Sequence, residues 1–303
     1  MIYGHGDELF RYGDKVKINF SSNVYGQADY TDLKEHLMQH FDVVGHYPEP
    51  DAHTLECLLA EKLGVKENTV MVTSGVKDEF DVLPKDRIYW ICNPNNPTGN
   101  VLVKGMLNHI VRNHPRYLYV IDQSYADYTL APMLDPKEMT DVFNLMLVHS
   151  LSKTFCIPGL RLGYIVASPI IIGRLKQIRQ PWTINALAIE AGKYLIENNM
   201  QMIPDLKSYL QEAIRLYAKL SAINGLKVMK TDTNFMLVSI HNSTAIELKR
   251  WLLDNYGILI RDASNIRGLD SNYFRVTTQQ PEENDLLVDA IKAYVDHLNE
   301  VSD

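Results

Sequence analysis

The chain has 303 residues, 46% hydrophobic and 22% charged, which is globular composition with ample material for a sizeable core. At roughly 150 residues per domain, the length predicts two domains. Thirty Lys and Arg stand against 37 Asp and Glu, a net charge of −7 and a pI near 5.8. The basic residues are scattered, so a nucleic-acid partner has no electrostatic support. No apolar run reaches the ~18 residues needed to span a membrane, and residues Met1 to Asp7 do not read as a secretory signal. The three cysteines, Cys57, Cys92 and Cys156, are odd in number and widely spaced. They fit neither a disulfide framework nor a zinc site, so no metal is expected and a reducing cytoplasm is the simplest compartment.

In chain order, Lys17–Phe20 reads as a short extended segment. Residues 53–63 carry apolar side chains at helical spacing and stop at Gly64. Four apolar, β-rich runs follow: Thr69–Thr73, Ile88–Cys92, Tyr117–Ile121 and Leu145–His149. Continuous apolar strands separated by helical patterns predict a mostly parallel sheet covered on both faces. Ligands bind such sheets beyond the carboxyl ends of the strands. Gly75, Asn96, Asp122 and Lys153 each follow such an end. From about residue 205 the pattern changes. A long amphipathic helix (205–223), a strand (234–240), a helix (244–255), the short run Ile258–Ile260, a strand (273–277) and a final helix (282–299) predict a smaller α+β domain. The expected division is an N-terminal arm with part of the small domain (1–45), a large domain (46–204) and a C-terminal small domain (205–303).

The most informative stretch is Ser150-Leu-Ser-Lys-Thr-Phe-Cys-Ile-Pro-Gly-Leu-Arg-Leu-Gly-Tyr164. A lysine between two hydroxyls, with an arginine eight residues later, can hold an aldehyde cofactor as an imine and clamp its phosphate. Taken singly, each candidate also has a plain structural reading. Asp122 fits a strand-end cap, Asn93-Pro-Asn-Asn-Pro-Thr-Gly99 a turn cluster, and Arg161 a surface ion pair. Arg275, inside an apolar strand, is harder to dismiss, because a buried charge requires a partner. In their joint order, the segments at 93–99, Asp122-Gln-Ser-Tyr125, 150–164 and Phe274-Arg-Val276 resemble the class I/II aminotransferase superfamily across nearly the whole chain.

That resemblance implies the fold-type I architecture of pyridoxal-phosphate (PLP) enzymes: α/β, a mostly parallel large domain and a smaller α+β domain. It implies PLP as cofactor, with Lys153 forming the imine, Asp122 keeping the pyridine nitrogen protonated, and Asn96 and Tyr125 donating to the ring phenolate. Gly75 and Val76, with Ser150, Ser152 and Arg161, would form the phosphate cup, and Arg275 would take the substrate carboxylate. His46-Tyr-Pro-Glu-Pro-Asp51 is similar to a segment whose tyrosine reaches the neighbouring subunit's cofactor phosphate. Tyr47 would play that part in a homodimer with shared sites.

Two branches are similar here, the threonine-phosphate decarboxylases and the histidinol-phosphate aminotransferases. Gly4-His-Gly-Asp7 with Asn19-Phe-Ser-Ser-Asn23, Gln180–Ala188, and the segments at 258–261, 268–271 and 273–276 tilt toward the decarboxylases. The implied reaction is loss of CO2 from O-phospho-L-threonine in cobalamin biosynthesis. Arg261 and His5 are candidates for the substrate phosphate, and Asn23 is a further substrate-binding candidate. The alternative is a histidinol-phosphate or related aminotransferase. A regulatory PLP-fold module without turnover would be expected to carry a DNA-binding domain, and none is visible. No G-x-G-x-x-G follows a strand, which disfavours a dinucleotide-binding dehydrogenase.

One departure stands out. After Val76 the superfamily continues through roughly two further β-α units, on the order of 50–60 residues at ~30 per unit, including an aromatic that stacks on the cofactor ring. Here residues 77–87 lead almost at once to the run at 88. Losing such units would leave neighbouring strands unpaired, so the expectation is an omitted stretch, with no ring-stacking aromatic assignable in 77–87.

Overall fold

In the computed structural model the described residues are 8–74, 88–203 and 205–302. The expectations for His5, Gly75, Val76 and the segment 77–87 fall outside them. The chain enters through helix α1 (Leu9–Tyr12), strand β1 (Ile18–Asn19) and helix α2 (Thr31–Gln39). Helix α3 (His53–Leu63) stops where its spacing predicts. Gly64 takes φ 65°, a left-handed position where a side chain is disfavoured, and its N–H caps the last turn.

The larger sheet has the order β2-β6-β5-β4-β3, built from β2 (Val70–Thr73), β3 (Ile88–Cys92), β4 (Leu118–Asp122), β5 (Leu145–His149) and β6 (Gly163–Ala167). β3, β4 and β5 run parallel, and β6 is antiparallel to both β5 and β2. Four strands therefore share one direction, as a mostly parallel sheet requires. β6 is not evident from the sequence, because Gly163–Ala167 is short and directly follows the lysine segment. Both faces are covered. Tyr119, Ile121, Leu145 and Leu147 pack into one core and Val120, Met146 and Val148 into another, following strand alternation. The intervening helices are α4 (Lys104–Asn113), α5 (Pro136–Met139), α6 (Leu151–Thr154), α7 (Pro169–Ile178) and α8 (Ala186–Glu197). Glu56 of α3, 1% exposed, accepts from Val72 N at 3.1 Å and Arg179 Nη1 at 3.0 Å, and pairs with Lys176. This buried carboxylate ties α3 and the α7 terminus to β2.

β2 and β3 occupy opposite edges of the sheet. Among the described residues β3 has no second neighbour, and its Tyr89 and Trp90 are about half exposed.

The second unit comprises α9 (Leu206–Ser221), β7 (Leu226–Val228), β8 (Phe235–Ile240), α10 (Ala245–Tyr256), β9 (Ile258–Leu259), β10 (Arg261–Asp262), β11 (Tyr273–Thr277) and α11 (Pro281–Ser302). Its antiparallel sheet, β10-β11-β8-β7, packs against Leu216, Leu220, Leu248, Leu252, Leu287 and Ile291. β1 pairs in parallel with β9, and Phe20 is buried in the same core, so the N-terminal segment belongs to this unit. The two units meet at Gly99, φ 76°, where an added Cβ would lie 1.9 Å from Thr231 Oγ1 and 2.9 Å from the Phe235 carbonyl. That close approach holds the Asn-Pro loop against β8 and brings Asn96 beside Arg275.

Candidate active site

The carboxyl ends of β4 and β5 place Asp122 and Lys153 at one end of the larger sheet. Lys153 lies on α6, the single turn after β5. Its backbone N–H bonds Ser150 O at 2.9 Å, and its carbonyl accepts from Tyr128 Oη at 3.0 Å. Its Nζ donates to Asn23 Oδ1 at 3.2 Å and lies 5.9 Å from the Tyr125 ring centroid. Burial lowers the amine to about 8. Arg275 and Arg161 push in the same direction, and Cys156 and Asp122 oppose. A lysine near 8 presents a useful neutral fraction at physiological pH, which condensation with an aldehyde requires.

A chain of polar contacts leads from this amine to a buried guanidinium. Asn23 Nδ2 donates to Tyr125 Oη, and Asn96 Nδ2 reaches the same oxygen at 3.4 Å. Asn96 Oδ1 accepts from Arg275 Nη1 at 2.8 Å, while Arg275 Nη2 donates to Ser21 O at 2.8 Å. The guanidinium carbon lies 5.5 Å from the Phe235 ring centroid. Burial pulls Arg275 down to about 10, so it stays charged at neutral pH. Its Nε has no hydrogen-bond partner, and no carboxylate among the described residues pairs with it. Burial drives the Tyr125 hydroxyl upward, which keeps it a protonated donor.

Asp122 Oδ1 accepts from Ser124 N at 2.9 Å and Ser124 Oγ at 2.5 Å. Ser150 is half-buried at the entry of α6. The Ser152 hydroxyl instead donates to Leu162 O and accepts from Leu162 N, both at 3.1 Å, so its hydrogen is committed to the loop between α6 and β6. Arg161 is exposed, has φ 55°, and donates to Pro158 O at 3.1 Å. Arg261, 7% exposed, donates to Asn265 Oδ1 at 2.9 Å and stands opposite Arg275 in the β10–β11 register. Tyr47 is 85% exposed, its ring 5.2 Å from that of Trp182.

Several participants carry no sequence signal of their own. Ser21 contributes a carbonyl, Phe235 a ring face, and Tyr128 a hydroxyl on the Lys153 backbone. Lys249, 2% exposed, forms a buried ion pair with Glu8 and stacks 5.2 Å from the Tyr12 ring. It lies close enough to feel the charges of Asp262 and Arg261. Only the spacing of α10 hints at it, since Lys249 falls on the apolar face.

The donor set fits pyridoxal phosphate. A neutralisable amine, a carboxylate for a protonated ring nitrogen, and a hydroxyl and an amide for a phenolate converge at one sheet end. A buried guanidinium with an unused N–H awaits an anion beside them.

Comparison with known proteins places the chain in a family of pyridoxal-phosphate enzymes. The sequence matches the family Aminotransferase class I and II over residues 78–291. It is 31% identical over 77% of its length to a protein of Caldanaerobacter subterraneus subsp. tengcongensis provisionally named threonine-phosphate decarboxylase, and spans 63% of that protein's length. It is 32% identical over 80% of its length to the histidinol-phosphate aminotransferase of Parabacteroides distasonis, spanning 67% of it. Its structure is similar to the crystal structure of L-threonine-O-3-phosphate decarboxylase from Porphyromonas gingivalis. The TM-score is 0.86 and the identity 32%, covering 92% of this chain and 99% of that one.

Proposed function

Because this chain belongs to the class I and II aminotransferase family of fold-type I, PLP-dependent enzymes, we propose that it is a carboxy-lyase converting O-phospho-L-threonine to aminopropanol phosphate and CO2. The product would serve cobalamin biosynthesis. The observation that carries this reading is the pair of buried arginines, Arg261 and Arg275, opposite each other on adjacent strands. Two guanidiniums on one face suit a substrate with two anionic groups, and phosphothreonine carries a carboxylate and a phosphate in one molecule.

When bound, pyridoxal phosphate supplies an aldehyde that condenses with amines and a protonated ring that accepts the electron pair released at Cα. Lys153 would hold it, with Asp122 toward the ring nitrogen, Tyr125 and Asn96 toward the phenolate, and Ser150 and Arg161 toward the phosphate. Arg275 binds and orients the substrate carboxylate, and its unused Nε–H is available to that anion. Arg261 takes the substrate phosphate. Asn23, bonded to both Lys153 and Tyr125, would orient the Lys153 amine. After CO2 departs, Lys153, poised near 8, returns a proton to Cα. A decarboxylase breaks Cα–COO⁻ where an aminotransferase breaks Cα–H, so the anchors that orient the substrate, Arg275 and Arg261, would decide which bond is activated.

The reading includes a homodimer in which Tyr47 serves the partner's cofactor phosphate. The exposure of Tyr47 supports this. It also includes a cytoplasmic location, supported by three free thiols; among the described residues no helix is long and apolar enough to cross a membrane. Histidinol-phosphate transamination is the second reading, favoured by the relative at 32% identity. Product analysis separates them. The holoenzyme is given O-phospho-L-threonine alone, and separately histidinol phosphate with 2-oxoglutarate. Aminopropanol phosphate in the first mixture supports the lyase, and glutamate in the second with no product in the first overturns it.

A further inference from the structure

Away from the cofactor pocket, His36, His40 and Glu190 each present one ligand atom, and these atoms lie within 4.8 Å of one another. His36 sits in the last turn of α2 and His40 is the residue that caps it, so the two imidazoles lie on one helix face four residues apart. Glu190 comes from the facing helix α8 and is 8% exposed. His36 Nε2 lies 2.9 Å from Glu190 Oε1. The His36 ring is sandwiched between His40, at 4.1 Å and 27°, and Tyr194, at 4.2 Å and 23°. This packing holds its donor atom toward the carboxylate.

His40 is prepared differently. Its Nδ1 lies 2.9 Å from His36 O. A carbonyl only accepts, so Nδ1 carries the hydrogen and Nε2 keeps its lone pair, the arrangement that outer hydrogen bonds impose on metal-binding histidines. His40 is exposed, so an ion from solvent can reach its ring beside the His36–Glu190 contact. The second Glu190 oxygen is 2.7 Å from Lys193 Nζ. A cation already sits on this carboxylate, on the oxygen that His36 does not contact.

We propose that His36, His40 and Glu190 form a binding site for a divalent transition-metal ion of the zinc class. Two imidazoles and one carboxylate are a borderline-soft donor set suited to such ions and poorly suited to Mg²⁺ or Ca²⁺. The ion replaces the hydrogen between His36 Nε2 and Glu190 and recruits His40 Nε2, with a water completing four-coordination. Its effect is mechanical. It cross-links α2 to α8 just before the turn at residues 41–45 that leads to Tyr47. The site is independent of the cofactor pocket, and neither the fold nor the proposed reaction requires it.

The test is calorimetric titration of Zn²⁺ into the full-length, PLP-loaded protein, without affinity tag or phosphate buffer, beside Mg²⁺ and the variants His40→Ala and Glu190→Gln. Cofactor phosphate also attracts metal ions, so the difference between wild type and His40→Ala is the quantity read. The expected result is one saturable Zn²⁺ per chain, roughly 10- to 100-fold weaker in either variant, a zinc-dependent rise in melting temperature that His40→Ala loses, and no saturable Mg²⁺ binding. His40 is exposed and its replacement is expected to fold; an unchanged circular dichroism spectrum without zinc checks this. Absence of saturable Zn²⁺ binding in the wild type, or the same affinity and stoichiometry in folded His40→Ala, overturns the proposal.

Discussion

Arg261 and Arg275 face each other across the β10–β11 ladder, 7% and 6% exposed; burial lowers the proton affinity of both, and Arg261 lowers that of Arg275 further. Like charges directly opposite in a sheet are destabilising, and Arg275 has no carboxylate partner among the described residues. An anionic ligand relieves this. Replacing Arg275 with Gln is expected to lower kcat/KM by about 10- to 150-fold, the equivalent of the ~1.5–3 kcal/mol of a charged hydrogen bond. Arg261→Gln is expected to weaken a phosphorylated substrate selectively and leave its unphosphorylated analogue nearly unaffected. Steady-state kinetics with both substrates checks this, and an Arg261 variant with undiminished affinity for phosphothreonine removes Arg261 from the site.

Lys153 makes apoprotein stability depend on pH. Its amine is lowered from 10.5 to about 8 in the folded chain, chiefly by burial. Below about 8 both folded and unfolded states hold the proton, and above 10.5 neither does. Between these limits the unfolded chain binds one more proton, so stability rises with pH across that window. Denaturant midpoints of the apoprotein at pH 7.5, 8.5 and 9.5, referenced to Lys153→Met, are expected to rise, and the rise should vanish once the cofactor occupies the amine. The reference variant cancels the opposing contribution of Tyr125, Tyr164 and Tyr209, whose raised hydroxyls favour the lower pH.

Gly99→Ala tests the contact between the two units. The added Cβ would meet Thr231 Oγ1 at 1.9 Å, Thr233 Oγ1 at 2.7 Å and backbone at 2.9 Å, at φ 76°. Threonine hydroxyls can turn aside, but the Phe235 carbonyl cannot. A loss of about 2–4 kcal/mol is expected from overpacking and left-handed strain together, with reduced activity because Asn96 sits on the same loop. Urea denaturation measures the first effect.

Glu56→Gln is expected to cost about 3–5 kcal/mol, the range for breaking a buried ion pair from one side. It strands Arg179, whose side chain is 4% exposed and whose Nε and Nη2 already lack partners. Thermal melting with retained cofactor absorbance would show that the loss is one of stability.

Much of this was legible in the chain. The β-rich runs at 69–73, 88–92, 117–121 and 145–149 match β2 to β5 within a residue or so, and α3 ends at Gly64. Periodicity and glycine placement report such elements directly. β6 and β7 were not visible, because three to five residues between stronger signals carry no period. The Lys153–Asn23–Tyr125–Asn96–Arg275 chain joins residues up to 252 positions apart, and only tertiary pairing brings them together. The Ser152 hydroxyl illustrates the opposite limit. Its residue type suits a phosphate ligand, but the backbone of Leu162 uses it. The opposed arginines follow from strand register, which neither strand's sequence states.

The central claim is most directly tested by CO2 release from O-phospho-L-threonine by the PLP-loaded, full-length protein with no 2-oxo acid present. The account predicts many turnovers of CO2 with an equal amount of aminopropanol phosphate. No CO2 from protein whose cofactor is demonstrably bound to Lys153 would contradict it.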